Sequence, residues 1–390
     1  MTADPITPRA ATDLKASPDA ALGAAAGIGL MVVFGTALVA GILTAEALVP
    51  HKLTFSLLGH TFSLARAGRA ASPMVMISLA LAPLVFALEM AVLGWRRSSL
   101  RRLAFFRSTS SRADLVWFAL QQLHIADAVG EVLTLGVAAV TGVWLGETIR
   151  RATGVSLSLR AAPLIAQVVS FYLVFGFFDY WTHRIKHGRL FWPLHRFHHA
   201  ADDFFIVTSD RVHPADVWSR LTTSVLAQTL LGTPAEIMVG VGLFQGFLQY
   251  VRHSRLDWDF GWIGRYLVQS PAHHRLHHRL AETAIHSNLG VMPLWDHVFG
   301  TWREAPTEAY AVGVHHPYGG DPGGFGDLWR DYWEFWSVPF GDLRRAVRLT
   351  CRAGLSRLVS AASSTARSEP VNGRPISRVR TADRRFGSQD

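Results

Sequence analysis

Residues 161–199 read AAPLIAQVVSFYLVFGFFDYWTHRIKHGRLFWPLHRFHH. An apolar run from about Ala161 to Asp179 passes directly into His183-Arg-Ile-Lys-His187, and then into His195-Arg-Phe-His198-His199. A third set downstream, His274-Arg-Leu-His277-His278, repeats the second. The patterns are H-x-x-x-H, H-x-x-H-H and H-x-x-H-H. Residues three or four apart on a helix share a face, so each set can aim two or three imidazoles at one point. Imidazole is largely uncharged yet basic near neutral pH, which makes it the commonest protein metal ligand. A lone helical histidine is usually an ordinary packing residue; eight in three such sets point to metal. Neighbours on a helix diverge by about 100°, so the adjacent pairs His198–His199 and His277–His278 can serve two metals. Eight ligands exceed the roughly four to six of one ion and suit two.

Working outward, the composition is that of a membrane protein. The chain is 49% hydrophobic and 17% charged, with mean hydropathy +0.21, whereas soluble domains carry about 25% charged residues. The pI near 10.3 does not indicate nucleic acid. Gly341–Asp390 holds 11 Arg against 4 Asp and Glu, so +7 of the formal +9 lies there, and no aromatic-interleaved basic patch accompanies it. The single Cys351 excludes a disulfide framework and an internal iron–sulfur cluster.

The expected fold is an all-α integral membrane protein with about four transmembrane helices and a cytoplasmic, histidine-rich helical cap holding a dinuclear metal site. Residues 1–20 read as a disordered leader and 21–110 as a transmembrane pair with a basic loop. Residues 111–340 read as the catalytic domain and 341–390 as a basic cytoplasmic tail, opening with an amphipathic stretch at Asp342–Ala362. The spans are about Ala21–Leu48, Pro73–Trp95, Ala126–Leu145 (with Asp127 and Glu131 inside it) and Ala161–Asp179. Arg96, Arg97, Arg101, Arg102 and Arg107 follow the second span, which places that loop, both termini and the histidines on the cytoplasmic side. Leu221–Tyr250 is apolar but broken at Gly232-Thr233-Pro234, the pattern of a hairpin that dips into the membrane.

In this order and on membrane helices, the three sets resemble the fatty acid hydroxylase/sterol desaturase superfamily of integral-membrane di-iron oxygenases. Further matches are Asp179-Tyr180-Trp181, Arg211-x-His213-Pro214, His253-Ser254, Asn288-Leu-Gly290, Leu294-Trp295-Asp296 and Phe299-Gly300-Thr301. The resemblance covers about Ser111 to Phe340. It implies His183, His187, His195, His198, His199, His253, His274, His277 and His278 as metal ligands, with His213 and His286 as candidate further ones. It also implies two non-haem iron ions, O2 as co-substrate and a lipid substrate such as a sterol, a fatty acyl chain or another isoprenoid lipid. His286 stands where the family often has an acid, and His273 has no family counterpart.

Asp179, four residues before His183, is expected to accept the other ring N–H of a ligand, as outer carboxylates do around metals; Asp296 is expected to do the same for the third set, and Asn288 to belong to the same outer layer. Arg184, Arg196 and Arg275 read either as contacts for lipid headgroups or a donor protein, or as a solvated face. No fused cytochrome b5 domain is legible, since His316-Pro-Tyr-Gly-Gly320 is an interrupted form of that haem motif. Electrons are therefore expected from a separate protein of ferredoxin or cytochrome b5 type. The function so implied is hydroxylation or desaturation of an unactivated lipid C–H bond. The alternatives are a membrane metal transporter, which would need ionisable groups along its spans, and a metal-dependent lipid hydrolase, which would need a carboxylate base within the clusters.

Overall fold

The computed structural model describes residues 18–348, except 49–53, 58–59, 106–107, 135–136, 155–156, 281–285, 309, 316–317, 319–322, 343–344 and 346–347. The expected leader, except its last three residues, and nearly all of the basic tail lie outside the described residues. So does most of the His316–Gly320 motif. The chain divides into two compact units, 1–336 and 337–390; the histidines lie in the first.

Helix α1 (Pro18–Leu48) takes in the end of the expected leader. A two-stranded antiparallel hairpin follows, β1 (Thr54–Leu57) with β2 (His60–Ser63), in register Thr54↔Ser63. This hairpin is the one departure from an all-helical chain among the described residues. Helix α2 (Leu64–Leu93) returns along α1. The two pack backbone to backbone: a Cβ on Gly27 would lie 2.4 Å from Ala91 N, and one on Gly23 2.5 Å from Gly94 Cα. Small residues permit this close approach where lipid offers no hydrophobic drive for helix association. Leu22, Val32, Val33, Val39 and Leu43 stay exposed on α1, as lipid-facing residues do.

Then come α3 (Ser99–Phe105), α4 (Thr109–Gln122), α5 (Ile125–Leu133) and α6 (Val137–Thr153). Helix α4 starts at Ser108, whose side chain accepts the Ser111 N–H, an ordinary serine cap. The expected third span is not one straight helix. Helices α5 and α6 meet at 64°. Asp127 at the start of α5 accepts from Gln121 Nε2 at 2.8 Å and from Arg220 at 3.2 Å, which fixes that end to polar neighbours. The described helices thus include three that are long and apolar enough to cross a membrane, or four if the bent pair is one span.

Helix α7 (Leu164–Lys186) is the last of these and runs on past Asp179 to carry His183. After α8 (Trp192–His199) the expected hairpin appears as α9 (Val217–Leu231) and α10 (Ala235–Arg252). Gly232 ends α9 with φ 58°, the left-handed conformation that glycine adopts freely, and Pro234 precedes α10. Helix α9 packs on α6 and α7. Short helices α11 (Gly261–Tyr266), α12 (Pro271–His277) and α13 (Leu294–Phe299) follow, and backbone 325–342 is helical (α14).

Candidate metal centre

The last turn of α7 presents His183, and His187 caps that helix. Helix α8 is short, with Pro193 in its first turn, so His195 and His199 at i, i+4 share one face and His198 turns away. Helix α12, opened by Ser270 accepting the His273 N–H and by Pro271, divides its set in the same way but gives the pair to the other group: His274 and its cap His278 share a face, and His277 turns away. His253 caps α10. The result is two groups. His183, His187, His195, His199 and His277 form one; His198, His253, His274 and His278 form the other. Within each group the candidate ligand nitrogens lie within 4.8 Å of one another. The groups abut: the rings of His199 and His278 stack at 4.3 Å, and His199–His277 and His198–His278 are 4.7 Å apart.

Several nitrogens face each other closely. His183 Nε2 is 3.0 Å from His195 Nε2 and 3.2 Å from His187 Nε2, and His274 Nε2 is 3.2 Å from His253 Nε2. Two neutral imidazole lone pairs repel at that range unless a proton or cation lies between them. Cis ligands on an octahedral ion with metal–nitrogen bonds of about 2.1 Å are about 3.0 Å apart. Other buried ring nitrogens have no hydrogen-bond partner: His187 Nδ1, both of His199, His274 Nδ1, His277 Nε2 and His278 Nε2. Buried polar atoms are rarely left so. Burial first, and the neighbouring imidazoles next, hold His187, His198, His199, His274 and His278 well below the ordinary histidine value; for His195 burial is followed by the Lys186 charge and then the imidazoles. Burial brings His277 to about 4 and His253 to about 3. The donors are therefore neutral and ready to ligate at physiological pH, and the donor set fits metal.

The ring N–H groups on the far side are held mostly by backbone carbonyls. His183 Nδ1 bonds Leu289 O (2.6 Å), His277 Nδ1 Ser287 O (2.8 Å), His253 Nδ1 Gln249 O (2.9 Å) and His198 Nδ1 Arg211 O (3.2 Å). His195 alone among them uses a carboxylate: Asp216 Oδ2, at 3.3 Å, which also accepts Lys186 Nζ at 3.2 Å. The sequence reading missed Asp216; its signal is its place two residues after His213-Pro214.

This corrects the roles expected of Asp179 and Asp296. Neither accepts from a cluster histidine; both fasten the loop that does. Asp296 accepts Leu289 N and Gly290 N, each at 2.8 Å, and Thr301 Oγ at 2.7 Å. Asp179 Oδ2 takes Val291 N at 3.4 Å. Asn288 stands at φ 52°, which asparagine tolerates. It clamps the same loop by accepting Arg303 N (2.9 Å) and donating to Arg303 O (3.0 Å) and His273 O (3.3 Å).

His213 and His286 lie outside both groups. His213 is buried, but its Nδ1 accepts Ala215 N at 3.0 Å and its Nε2 donates to Leu328 O at 3.2 Å, so both nitrogens are engaged. His286 is exposed, its ring 5.9 Å from that of His187. Two of the three arginines also differ from expectation. Arg196 and Arg275 are buried structural groups, Arg196 on Asp331 and Arg275 on Asp257 (2.6 Å) and the Ser254 and Leu256 carbonyls. Arg184 donates to Tyr180 OH at 2.8 Å.

A cavity of about 110 Å³ touches both groups, through His183 and His195 on one side and His198, His253 and His274 on the other. An outer cavity of about 190 Å³, bordered by α2, α4 and α10, shares Arg220 and Gln249 with it.

Residues 168–301 match the family model described as fatty acid hydroxylase. The match contains all nine clustered histidines together with Asp216 and the 287–296 loop. Over residues 168–301 the chain is similar to the fatty acid hydroxylase family. Its similar relatives include alkylglycerol monooxygenase of Danio rerio, 30% identical over 164 residues (41% of this chain and 33% of the relative), and that of Xenopus tropicalis, 27% identical over 145 residues (37% and 31%). Methylsterol monooxygenase 2-2 of Arabidopsis thaliana is 27% identical over 140 residues (35% and 52%). The chain thus spans about a third of the length of the alkylglycerol monooxygenases it matches. No solved structure matches.

Proposed function

We propose that this protein is a membrane oxygenase that hydroxylates, or desaturates, an unactivated C–H bond of a lipid. The observation that carries this reading is the pair of abutting, buried, all-imidazole groups. Structural zinc is usually held by four ligands rich in thiolate, and catalytic zinc by about three. Five and four histidines beside each other suit two non-haem irons better. His183, His187, His195, His199 and His277 would hold one, and His198, His253, His274 and His278 the other. When bound, the iron pair supplies activation of O2 with two electrons from a separate donor of ferredoxin or cytochrome b5 type.

The chain's own residues prepare that chemistry. Burial keeps the imidazoles neutral and water out. The 287–291 loop and Asp216 fix ring orientation. The cavity against both groups offers the place for the reacting carbon. The lipid-related names of the relatives and the apolar helices α1, α2 and α7 support a bilayer-borne substrate. The arginines after α2 support a cytoplasmic site and cytoplasmic termini. No carboxylate belongs to either group among the described residues, which disfavours hydrolysis. The test is turnover of a lipid panel by iron-loaded protein in nanodiscs under 18O2, with a chemical reductant. Label in an alcohol product, or an alkene with O2 consumed, supports the proposal. Turnover that persists without O2 and reductant contradicts it.

A further inference from the structure

Over residues 325–336, helix α14 carries three distinct faces. At about 3.6 residues per turn, Phe325, Trp329, Trp333 and Trp336 fall within an arc of about 80°, and each is 40–58% exposed. Gly326 and Arg330 lie on an adjoining exposed face. The third face is fastened to the protein. Asp331 holds Arg196 (2.5 Å), Leu328 O accepts from His213 (3.2 Å), and the rings of Phe335 and Phe191 are 5.5 Å apart. The helix is thus amphipathic and firmly placed, yet it leaves four large aromatic rings uncovered. Monomeric soluble proteins rarely expose a contiguous apolar patch of this kind without a partner for it.

We propose that α14 is a membrane-surface helix, whose aromatic stripe enters the interfacial layer of the same bilayer that the spans cross. Its depth in the molecule supports this. Phe191, on which Phe335 packs, lies five residues beyond Lys186, the end of the apolar helix α7. Phe191 also meets Trp218 in the first turn of α9. Helix α14 is therefore attached where α7 ends. Leu328 packs against the cluster of Trp117, Ala126 and Phe197. Ala126 belongs to α5, which leaves Ile125, Val129 and Val132 exposed and is followed by the apolar α6. Three of the four rings are tryptophan, the side chain that favours the headgroup level of a bilayer. An amphipathic helix with such a face lies in the membrane plane. The chain that follows, Gly341–Asp390, carries 11 Arg against 4 Asp and Glu, the charge that an anionic leaflet attracts. Depth, tryptophan content and charge together favour lipid over a second copy of the chain or a donor protein. Because Asp331 holds Arg196 between His195 and His198, the seat of α14 on the bilayer also fixes the height of α8 above it.

The test uses the full chain in nanodiscs of phosphatidylcholine and phosphatidylserine. The unaltered protein is first irradiated with a phosphatidylcholine that carries a diazirine near its headgroup, and adducts are mapped by mass spectrometry. Adducts should fall on Trp329, Trp333 and Trp336. Their absence from residues 325–336, with α1 labelled in the same sample, would overturn the proposal. A nitroxide scan then separates lipid from other surroundings. In a Cys351→Ser background, Trp329→Cys, Arg330→Cys, Trp333→Cys and Leu43→Cys are labelled one at a time, so at least three of the four aromatics and the whole fastened face remain in each. Accessibility is read against O2, which concentrates in the bilayer, and against a water-soluble nickel complex. The ratio of O2 to nickel accessibility at positions 329 and 333 should be several-fold above that at 330 and approach that at 43, the lipid-facing reference on α1. Nickel reaching 329 and 333 as freely as 330 would mean that the stripe faces water. Shielding of 329 and 333 from both reagents would mean that a protein covers it, a second copy if the labels also couple to one another. Either result would overturn the proposal. The measurement needs neither metal nor turnover, so it stands or falls apart from the oxygenase reading.

Discussion

Replacing Arg196 by Met should destabilise the protein by about 3–5 kcal/mol, the usual cost of removing one partner from a buried ion pair. Arg196 sits on α8 between His195 and His198. Its Nη2 reaches Asp331 Oδ1 at 2.5 Å, its Nε donates to Tyr318 OH at 2.8 Å, and its Nη1 donates to Glu334 Oε1 at 2.9 Å. Asp331 is fully buried, whereas the Glu334 side chain is 41% exposed. An exposed pair is worth about 0–1 kcal/mol, so the cost arises at Asp331, which would keep only the half-exposed Arg330 at 3.6 Å and the Tyr318 hydroxyl. Met preserves the aliphatic stem, so little of the effect is lost packing. The double variant Arg196→Met with Asp331→Leu removes both charges and should recover most of the loss. Thermal unfolding in mild detergent, followed by tryptophan fluorescence, should show a midpoint lower by roughly 6–20 °C for the single variant. Metal content should fall with it, because α8 carries three of the nine histidines. A single variant within about 1 kcal/mol of wild type, or a double variant worse than the single, would refute the reasoning.

Asp216→Asn should keep the fold but weaken metal binding by about 10–100-fold, as loss of an outer carboxylate does; competition with a chelator measures it. The metal-free protein should lose stability steeply in acid. The buried histidines have depressed folded values, so their stabilising effect is present above about 6.5 and is lost as pH falls through about 4 for His277 and about 3 for His253. His277 alone accounts for roughly 3 kcal/mol, and unfolding midpoints between pH 7 and 4 check the slope. Gly142→Ala should cost about 1–3 kcal/mol, because a Cβ there would lie 2.8 Å from Thr222 O and 2.9 Å from Val225 Cβ; the same unfolding assay reads the loss.

What was legible in the sequence was what local periodicity encodes. The i, i+3 and i, i+4 histidines announce shared helix faces, and adjacent histidines announce two centres, which is how His198 and His199 are divided. His253 carries no local pattern and came only from the family resemblance. The orienting groups were harder to read. Asp179 stands one turn before His183, but the ring N–H turns to Leu289 O, more than a hundred residues on. A backbone carbonyl leaves no mark in side-chain identity, so four of the five far-side acceptors could not be read. Asp216 lies 21 residues beyond His195, across a loop whose path no pattern predicts. The break between α5 and α6 was hidden because hydropathy adds up residues without registering that Asp127 is tied to Arg220 and Gln121.

The central claim is that the two histidine groups bind two irons, and metal analysis with iron spectroscopy tests it most directly. Protein from iron-replete cells should be purified anaerobically beside His187→Ala/His199→Ala and His253→Ala/His274→Ala. The account predicts about two irons per wild-type chain with the spectrum of a coupled pair, and loss of coupling in each variant. Zinc, or no metal, in the wild-type protein would contradict it.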